Sequence, residues 1–219
     1  MTHVVHPYAH RIGIIRDWKS RWFGDKKQYK EFLKSDVLLR EFLEKKLKDF
    51  YVSSVEMERN DKSLKIILKT SRPGMIIGRN GEGSKTLKDE TIKFIRKNDL
   101  LGAGEISIDI EEVKSPESNA GIVAQMVREG LEKRFPFRRV IKQTLEKVSA
   151  NRDVKGARIL VSGRLGGAEM ARKEQAKSGR IPLQTFRADV DFAVERAVLP
   201  YGTIGIKVWI YKGDIFSSK

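Results

Sequence analysis

Apolar and polar residues in the first half of the chain follow spacings that predict five regular elements. The predicted elements are, in order, a helix at 35–48, strands at 52–58 and 63–70, a helix at 82–97 and a strand at 105–113. The first helix places its leucines and Phe42 on one face, and Ser35 or Asp36 is the expected N-cap. The last strand alternates cleanly through Ile106 and Ile108.

The second half begins with a new helix signal at Ser115-Pro116-Glu117, which combines a cap, a first-turn proline and an acid at the positive end of the helix dipole. The predicted elements are helices at 117–134 and 136–150 and strands at 157–162, 184–192 and 203–211, with a glycine-rich basic connection at 163–182 after the first strand. We therefore expect an extended N-terminal arm at 1–16, a domain at 17–114 and a second domain at 115–219.

Charge composition points to the class of partner. Lysine and arginine number 44 against 29 aspartates and glutamates, which gives a formal net charge of +15. A globular protein this basic is typical of those that bind polyanions, because its cations release the counterions condensed on phosphates. A soluble protein whose surface is merely cationic is the alternative.

The residue types exclude several kinds of site. The chain has no cysteine, so disulfides, zinc knuckles and thiol catalysis are excluded. Its histidines, His3, His6 and His10, lack a further ligand nearby, so we expect no metal and no cofactor. No apolar run approaches the ~20 residues of a membrane span, and the N terminus lacks a signal-peptide pattern. We expect a cytoplasmic protein with no membrane partner.

The segment RPGMIIGRNGEG at 72–83 carries the most specific motif, and its glycines fit two kinds of loop. A nucleotide-binding P-loop needs a lysine directly after its second conserved glycine. Here Ser84 separates Gly83 from Lys85, which turns the lysine by ~100° around the following helix. A nucleotide hydrolase is therefore the alternative from the enzyme class, and the spacing argues against it.

The other kind of loop is G-x-x-G, formed here by Gly78, Arg79, Asn80 and Gly81. Glycines let the backbone approach a sugar-phosphate closely, and the N terminus of the next helix offers free N–H groups. In this order of elements the loop resembles that of a type II KH domain, a module that grips single-stranded nucleic acid. The expected fold class is α+β: an N-terminal type II KH domain with an α-β-β-α-β core, then a C-terminal α/β domain with two helices packed on a small sheet.

Eight segments, in order along essentially the whole chain, resemble the family of bacterial small-subunit ribosomal protein number three. They are VHP at 5–7, RIGI at 11–14, WKSRWF at 18–23, RPGMIIGRNG at 72–81, FRRVIKQ at 137–143, VSGRLGGAEMAR at 161–172, PLQTFRADVDF at 182–192 and YGTIGIKVWIYKG at 201–213. The resemblance implies a place in the head of the small subunit. Its implied partners are small-subunit ribosomal RNA, mRNA, the neighbouring head proteins numbers ten and fourteen, and proteins numbers four and five at the entrance of the mRNA channel.

Three features depart from the usual pattern of that family. The loop carries Arg79 and Asn80 where two lysines are common, which halves its charge. The arm begins Thr2-His3-Val4 in place of Gly-Gln-Lys, and no long tail follows YKGDIF.

The helix after Pro136 has an apolar face flanked by Arg138, Arg139 and Lys142, with only Glu146 among these cations. A solvated helix face is the ordinary explanation of such a flank. The family resemblance implies instead that these three residues line the entrance of the mRNA channel and assist the unwinding of structured mRNA.

Further basic and aromatic residues are candidates for RNA contacts. The candidate contacts to ribosomal RNA are Arg11, Lys19, Arg21, Arg164, Arg172 and Arg180. Trp18, Trp22 and Phe23 either stack on bases or pin the arm to the first domain, and both interpretations stay open. Packing is the expected role of Trp209 and Tyr211.

These features predict a structural constituent of the small ribosomal subunit, not an enzyme. It would bind ribosomal RNA and hold separated mRNA strands passively while the translating ribosome supplies the work. A free KH regulator of mRNA is the alternative within the binding class, but such a protein would not need the second domain.

Overall fold

The structure, a computed structural model, describes residues 5–60, 63–98, 100 and 105–216. These residues form two units, one at Trp18–Lys114 and one made of the described parts of Met1–Asp17 and Ser115–Lys219. His3 and the Thr2-His3-Val4 start of the arm lie outside the described residues, as do Asp61 and Lys62 between the strands predicted at 52–58 and 63–70. No helix in the described ranges is long and apolar enough to cross a membrane.

The unit at Trp18–Lys114 is a four-stranded sheet with helices on one face. Its elements are β1 (Ser20–Arg21), α1 (Lys26–Lys46), β2 (Val52–Arg59), β3 (Ser63–Thr70), α2 (Pro73–Ile77), α3 (Glu82–Lys97) and β4 (Glu105–Glu112). The strand order is β1-β2-β3-β4, with β2 and β3 antiparallel and the two outer pairs parallel. The predicted strands and the predicted helix at 82–97 are confirmed.

The period-two alternation of these strands separates an apolar face from a charged one. Leu39 and Leu43 of α1 and Leu87 of α3 pack against the apolar face, in a core that includes Val55 and Ile66. The opposite face carries a lattice of cross-strand ion pairs. These are Arg21 with Glu56 and Glu58, Lys65 with Asp109, and Lys69 with Glu56 and Glu111.

Helix α1 begins at Lys26, so the predicted start at Ser35 is wrong. Ser35 and Asp36 are not a cap but lie buried within the helix. Asp36 accepts hydrogen bonds from Arg59 and from the indole of Trp22, both at 2.8 Å. The buried side of α1 therefore contains a charged residue. This residue interrupts the apolar pattern by which the first turns of the helix would be recognised in the sequence.

The second unit is built on an antiparallel sheet with the order β6-β5-β8-β7. Its elements are α4 (Ala120–Glu132), α5 (Phe137–Ala150), β5 (Gly156–Gly163), β6 (Arg172–Gly179), β7 (Ala188–Leu199) and β8 (Gly202–Asp214), with short 3-10 turns at Ala9–Arg11, Pro116–Ser118 and Leu165–Gly167. Both helices pack on one face of the sheet, as predicted, around a core that includes Val127, Val148, Ile159 and Ile206.

Three predicted boundaries in this unit are corrected. The strand expected at 184–192 is β7, which begins at Ala188 and ends at Leu199. The helix expected at 117 begins at Ala120, because Pro116–Ser118 forms a 3-10 turn and Asn119 is the cap that accepts from the N–H groups of Gly121 and Ile122. The expected connection at 163–182 contains strand β6. Charged residues occupy both faces of that strand, so it lacks the apolar alternation that marks a strand in sequence.

The segment predicted as an extended arm packs instead on the second unit. Arg16 pairs with Asp189 at 2.6 Å, and the ring of His6 meets that of Phe192 edge-on at 4.7 Å. Arg11 is fully buried in the same unit. Its contacts with β7 and the preceding loop give the segment a defined path along the sheet.

Candidate nucleic-acid interface

The G-x-x-G loop joins the short helix α2 to the N terminus of α3. Asn80 and Gly81 both adopt left-handed backbone conformations, with φ of 53° and 78°. Asparagine tolerates this region better than lysine does, which gives a structural reason for Asn80 in place of a second basic residue. The side chains of Arg79 and Asn80 are exposed at the tip of the loop.

Gly83 fixes how closely α2 and α3 approach each other. A Cβ atom at this position would lie 2.5 Å from the carbonyl oxygen of Ile76, so a larger residue would push the two helices apart. Ser84 closes the turn by donating to the carbonyl of Gly81 at 2.8 Å. Gly83, which follows the G-x-x-G motif, therefore shapes the loop, and its presence is explained without a phosphate.

The N terminus of α3 directly follows the G-x-x-G loop. Its N-cap residue, Gly81, supplies no side-chain cap, while the N–H of Glu82 donates to the carbonyl of Arg79 and the side chain of Glu82 places an acid in the first turn. Lys85 lies exposed on α3 one residue beyond the position that a P-loop lysine occupies. The arrangement suits the backbone of a nucleic acid strand.

Helix α5 presents the expected division between an apolar and a cationic side. Val140, Ile141 and Val148 are buried against the sheet, as the helical spacing predicts. Arg139 and Lys142 are exposed, and neither has an ion-pair partner in the described part of the chain. These two cations are therefore available to an external phosphate.

The third cation of this flank, Arg138, lies in a cluster that the sequence did not reveal. Its guanidinium donates to Glu174 of β6 at 3.3 Å, and Arg172 lies 3.8 Å from the same carboxylate. Both guanidiniums also face the ring of Phe137, at 5.7 and 5.5 Å from its centroid. The structure thus brings together two residues that were assigned to separate sites, and Glu174 partly neutralises them.

Arg11 was expected to contact ribosomal RNA, and the structure contradicts this. Its guanidinium donates five hydrogen bonds to backbone carbonyls, those of Pro7, Pro182, Leu183, Thr185 and Ala188, at 2.5–3.2 Å. Burial lowers the pKa of Arg11, although the group stays protonated near neutral pH. All its donors face inward, so Arg11 holds the N-terminal segment in place.

The other candidate contacts differ in how far they are engaged within the protein. Lys19 is exposed, and Arg21 bridges Glu56 and Glu58 at 3.1 and 2.7 Å. Arg164 donates to the carbonyls of Ala168 and Tyr201 and so braces its own loop. Arg180 is exposed beside the Tyr211–Asp214 hydrogen bond, which together with Arg187 lowers the pKa of Asp214.

The aromatic residues near the N terminus differ in how far they are buried. Trp22 packs against Tyr29 and Phe32 and donates to Asp36, so it is a structural residue of the first unit. Trp18 and Phe23 are 61% and 90% exposed, which leaves their rings accessible to bases. Trp209 and Tyr211 are buried on the sheet face opposite Ile206 and Val208, so their predicted packing role is confirmed.

Comparison with known proteins gives matches to both halves of the chain. A KH domain model matches residues 38–118, and a model of the ribosomal protein S3, C-terminal domain, matches residues 127–210. The small ribosomal subunit protein uS3 of Caldicellulosiruptor bescii is 45% identical over 219 residues, spanning 100% of this chain and 96% of the relative. Proteins of the same name from Clostridium novyi and Coxiella burnetii are 42% and 43% identical over the full chain, spanning 96% and 93% of their own lengths.

Proposed function

Because the chain belongs to the uS3 family of small ribosomal subunit proteins, we propose that it acts as a structural, RNA-binding constituent of the subunit head and not as an enzyme. Its domains would be the KH domain at 17–114 and the C-terminal domain at 115–219. Its place of action would be the cytoplasmic ribosome. The observation that carries the proposal is a G-x-x-G loop with exposed Arg79 and Asn80 within a KH fold, in a chain of net charge +15.

In the finer proposal the two units divide the RNA contacts between them. The loop at Gly78–Gly81 binds the backbone of single-stranded RNA. The exposed Arg139 and Lys142 bind mRNA at the entrance of the mRNA channel. Lys19, Arg164, Arg172 and Arg180 are the proposed contacts to ribosomal RNA. Proteins numbers ten and fourteen of the head, and numbers four and five near the channel, are the proposed neighbours.

Passive assistance to unwinding follows from this arrangement. Neither Arg139 nor Lys142 is engaged by a carboxylate of the described residues, so both can pair with the phosphates of a separated strand. The cations would stabilise the open strands without supplying energy. The translating ribosome would do the work of separation.

Replacing Arg79 and Asn80 together by aspartate should weaken the binding of single-stranded RNA by the purified chain by about tenfold at low salt. The substitution sets negative charge against phosphates at close range. Both side chains are exposed, and aspartate tolerates the left-handed conformation of Asn80, so the fold should persist. Fluorescence anisotropy with an unstructured oligouridine probe measures the effect.

The matched control carries the same change of charge elsewhere in the KH unit. Lys34→Asp with Asn60→Asp alters two exposed residues far from the loop in sequence, and it should weaken binding only slightly. Wild-type affinity in the loop variant would mean that this loop is an ordinary turn. Equal losses in both variants would mean that net charge alone governs binding.

A further inference from the structure

The sheet of the C-terminal unit has a second face, turned away from α4 and α5. Strand alternation places Ile159, Val161, Ile206 and Val208 on the helix side, so their neighbours in sequence lie on the opposite face. One end of that face is filled by a small cluster that includes Val190, Trp209 and Tyr211. The other end is open to solvent.

Cations cluster at the open end of this face, beside the exposed side chains of Val194 and Val198. The cations are Arg158 of β5, Lys173 and Lys177 of β6, Arg196 of β7 and Lys207 of β8, which we call the sheet cations. The register places Arg158 opposite Lys177, and it places Lys207 opposite Leu160 and Val194. Ser162 lies between Lys173 and Gly205, and Gly205 is itself opposite Arg196. All four strands therefore contribute to one basic surface.

No carboxylate among the described residues occupies a strand position on the open end of this face. Glu174 and Glu195 lie on the other side of their strands, where they contact Arg138 and Arg128 of the two helices. Lys173, Lys177, Arg196 and Lys207 have no ion-pair partner within the ranges that the structure describes. The KH sheet differs, because the cations of its open face are paired with carboxylates of neighbouring strands.

The dimensions of the sheet cations suit a phosphate backbone. Neighbouring strands lie ~4.8 Å apart and alternate residues ~6.7 Å apart, so the five cations occupy an area of roughly 14 by 13 Å. Gly205, in the same row as Lys173 and Arg196, bears no side chain, which keeps the surface low between these two cations. Several phosphates of one polynucleotide can therefore be contacted at once.

The face offers little for the recognition of unpaired bases. The aromatic residue of the filled end that borders the sheet cations, Trp209, is only 7% exposed and is covered by the guanidinium of Arg158 at 4.9 Å. Single-stranded RNA is typically bound through aromatic stacking, whereas double-stranded RNA is recognised through its phosphates and hydroxyls. A surface with unpaired cations and a buried tryptophan ring therefore favours the binding of double-stranded RNA.

We propose that the sheet cations form a binding site for the phosphate backbone of an RNA helix, separate from the G-x-x-G loop and from the α5 flank. The inference rests on the proposed function in that RNA is taken as the polyanion. Recognition at this site would be independent of base sequence, because phosphates carry no sequence information. An acidic protein is the competing occupant, and binding measurements with two polyanions discriminate between them.

The test neutralises three sheet cations in the full chain, as Lys173→Gln, Arg196→Gln and Lys207→Gln together. Affinity is measured against a 20-base-pair RNA duplex over a range of salt concentrations. Three lost phosphate contacts at ~0.9 each should make the slope of log affinity against log salt shallower by about 2.7, with binding weakened about tenfold at low salt. Circular dichroism and thermal unfolding should match the wild type, because all three side chains are exposed.

A control variant removes the same charge from the same unit, as Lys133→Gln, Lys147→Gln and Arg152→Gln. It should keep duplex binding within about twofold and leave the salt slope nearly unchanged. An unchanged duplex affinity in the sheet variant, or an equal loss in the control, would overturn the proposal. Poly-glutamate serves as the probe for an acidic protein. If the sheet variant loses binding to poly-glutamate but keeps its binding to the duplex, the proposal is wrong and an acidic protein is the occupant.

Two further probes separate this site from the proposed function. The sheet variant should bind single-stranded oligouridine nearly as the wild type does, whereas the loop variant, Arg79→Asp with Asn80→Asp, should keep its binding to the duplex. If the loop variant binds oligouridine like the wild type while the sheet variant loses duplex binding as expected, the proposed role of the G-x-x-G loop is wrong and the sheet site stands. A wild-type chain that binds oligouridine but not the duplex would refute the sheet site and leave the loop proposal standing.

Discussion

Replacing Arg11 by methionine should lower the stability of the C-terminal unit by about 3–5 kcal/mol. The substitution removes five hydrogen bonds, three of them to partly buried carbonyls on the loop before β7. A unit of this size has a total stability of roughly 5–15 kcal/mol, so the loss is a large fraction of it. The midpoint of thermal unfolding should fall by roughly 10–20 °C.

Hydrogen exchange locates the effect of Arg11→Met within the molecule. Amides of 182–192 should exchange much faster, whereas those of β2 and β3 in the KH unit should be unaffected. Arg16→Ala is the control, because it removes a neighbouring cation whose pair with Asp189 is only partly buried, and it should cost about 1 kcal/mol. Equal, small losses in both variants would mean that Arg11 is no anchor.

Changing Arg139 and Lys142 to alanine should impair translation of mRNAs that carry a stable hairpin while sparing unstructured mRNAs. The variant keeps every buried residue of α5, and alanine favours a helix, so folding and subunit assembly should persist. In direct binding to single-stranded RNA, two lost contacts at ~0.7 each should make the salt slope shallower by about 1.4. The measurement compares ribosomes on both kinds of mRNA in one translation assay.

Arg138→Ala supplies the internal control for this prediction. Arg138 shares Glu174 with Arg172, so its removal takes away less available charge than the loss of Arg139 does. It should therefore change the salt slope less than Arg139→Ala. Equal rates on structured and unstructured mRNAs in the double variant would mean that this flank is a solvated helix face.

The strands with strict alternation and the amphipathic helix α5 could be predicted from sequence, because each buries one regular face. The β6 strand could not, since the helix side of RKEQAKSG carries Arg172 and Glu174 and its other side carries Lys173 and Lys177. The early part of α1 was missed for a related reason. Tyr29 and Leu33 are 53% and 47% exposed, while Asp36 is buried with Arg59.

The candidate site was predictable where its signal is local. A G-x-x-G motif and a cationic helix flank each depend on a few consecutive residues, and the structure places both at the surface. Arg11 fails this condition, because four of its five carbonyl partners lie more than 170 residues away. In a chain with 44 basic residues, composition cannot distinguish an arginine that contacts RNA from one that binds carbonyls. The sheet cations could likewise be recognised only from the strand register, because composition does not show which basic residues of separate strands share a face.

Sedimentation of the tagged chain from lysate of the cells that make it is the most direct test of its role as a small-subunit constituent. Lysate is fractionated on a sucrose gradient, and the tagged chain is quantified in every fraction alongside small-subunit RNA. The chain should follow that RNA, both in free small subunits and in assembled ribosomes, and should persist there after a moderate salt wash. A chain found only at the top of the gradient, with small subunits present in their normal amount, would contradict a role in the ribosome.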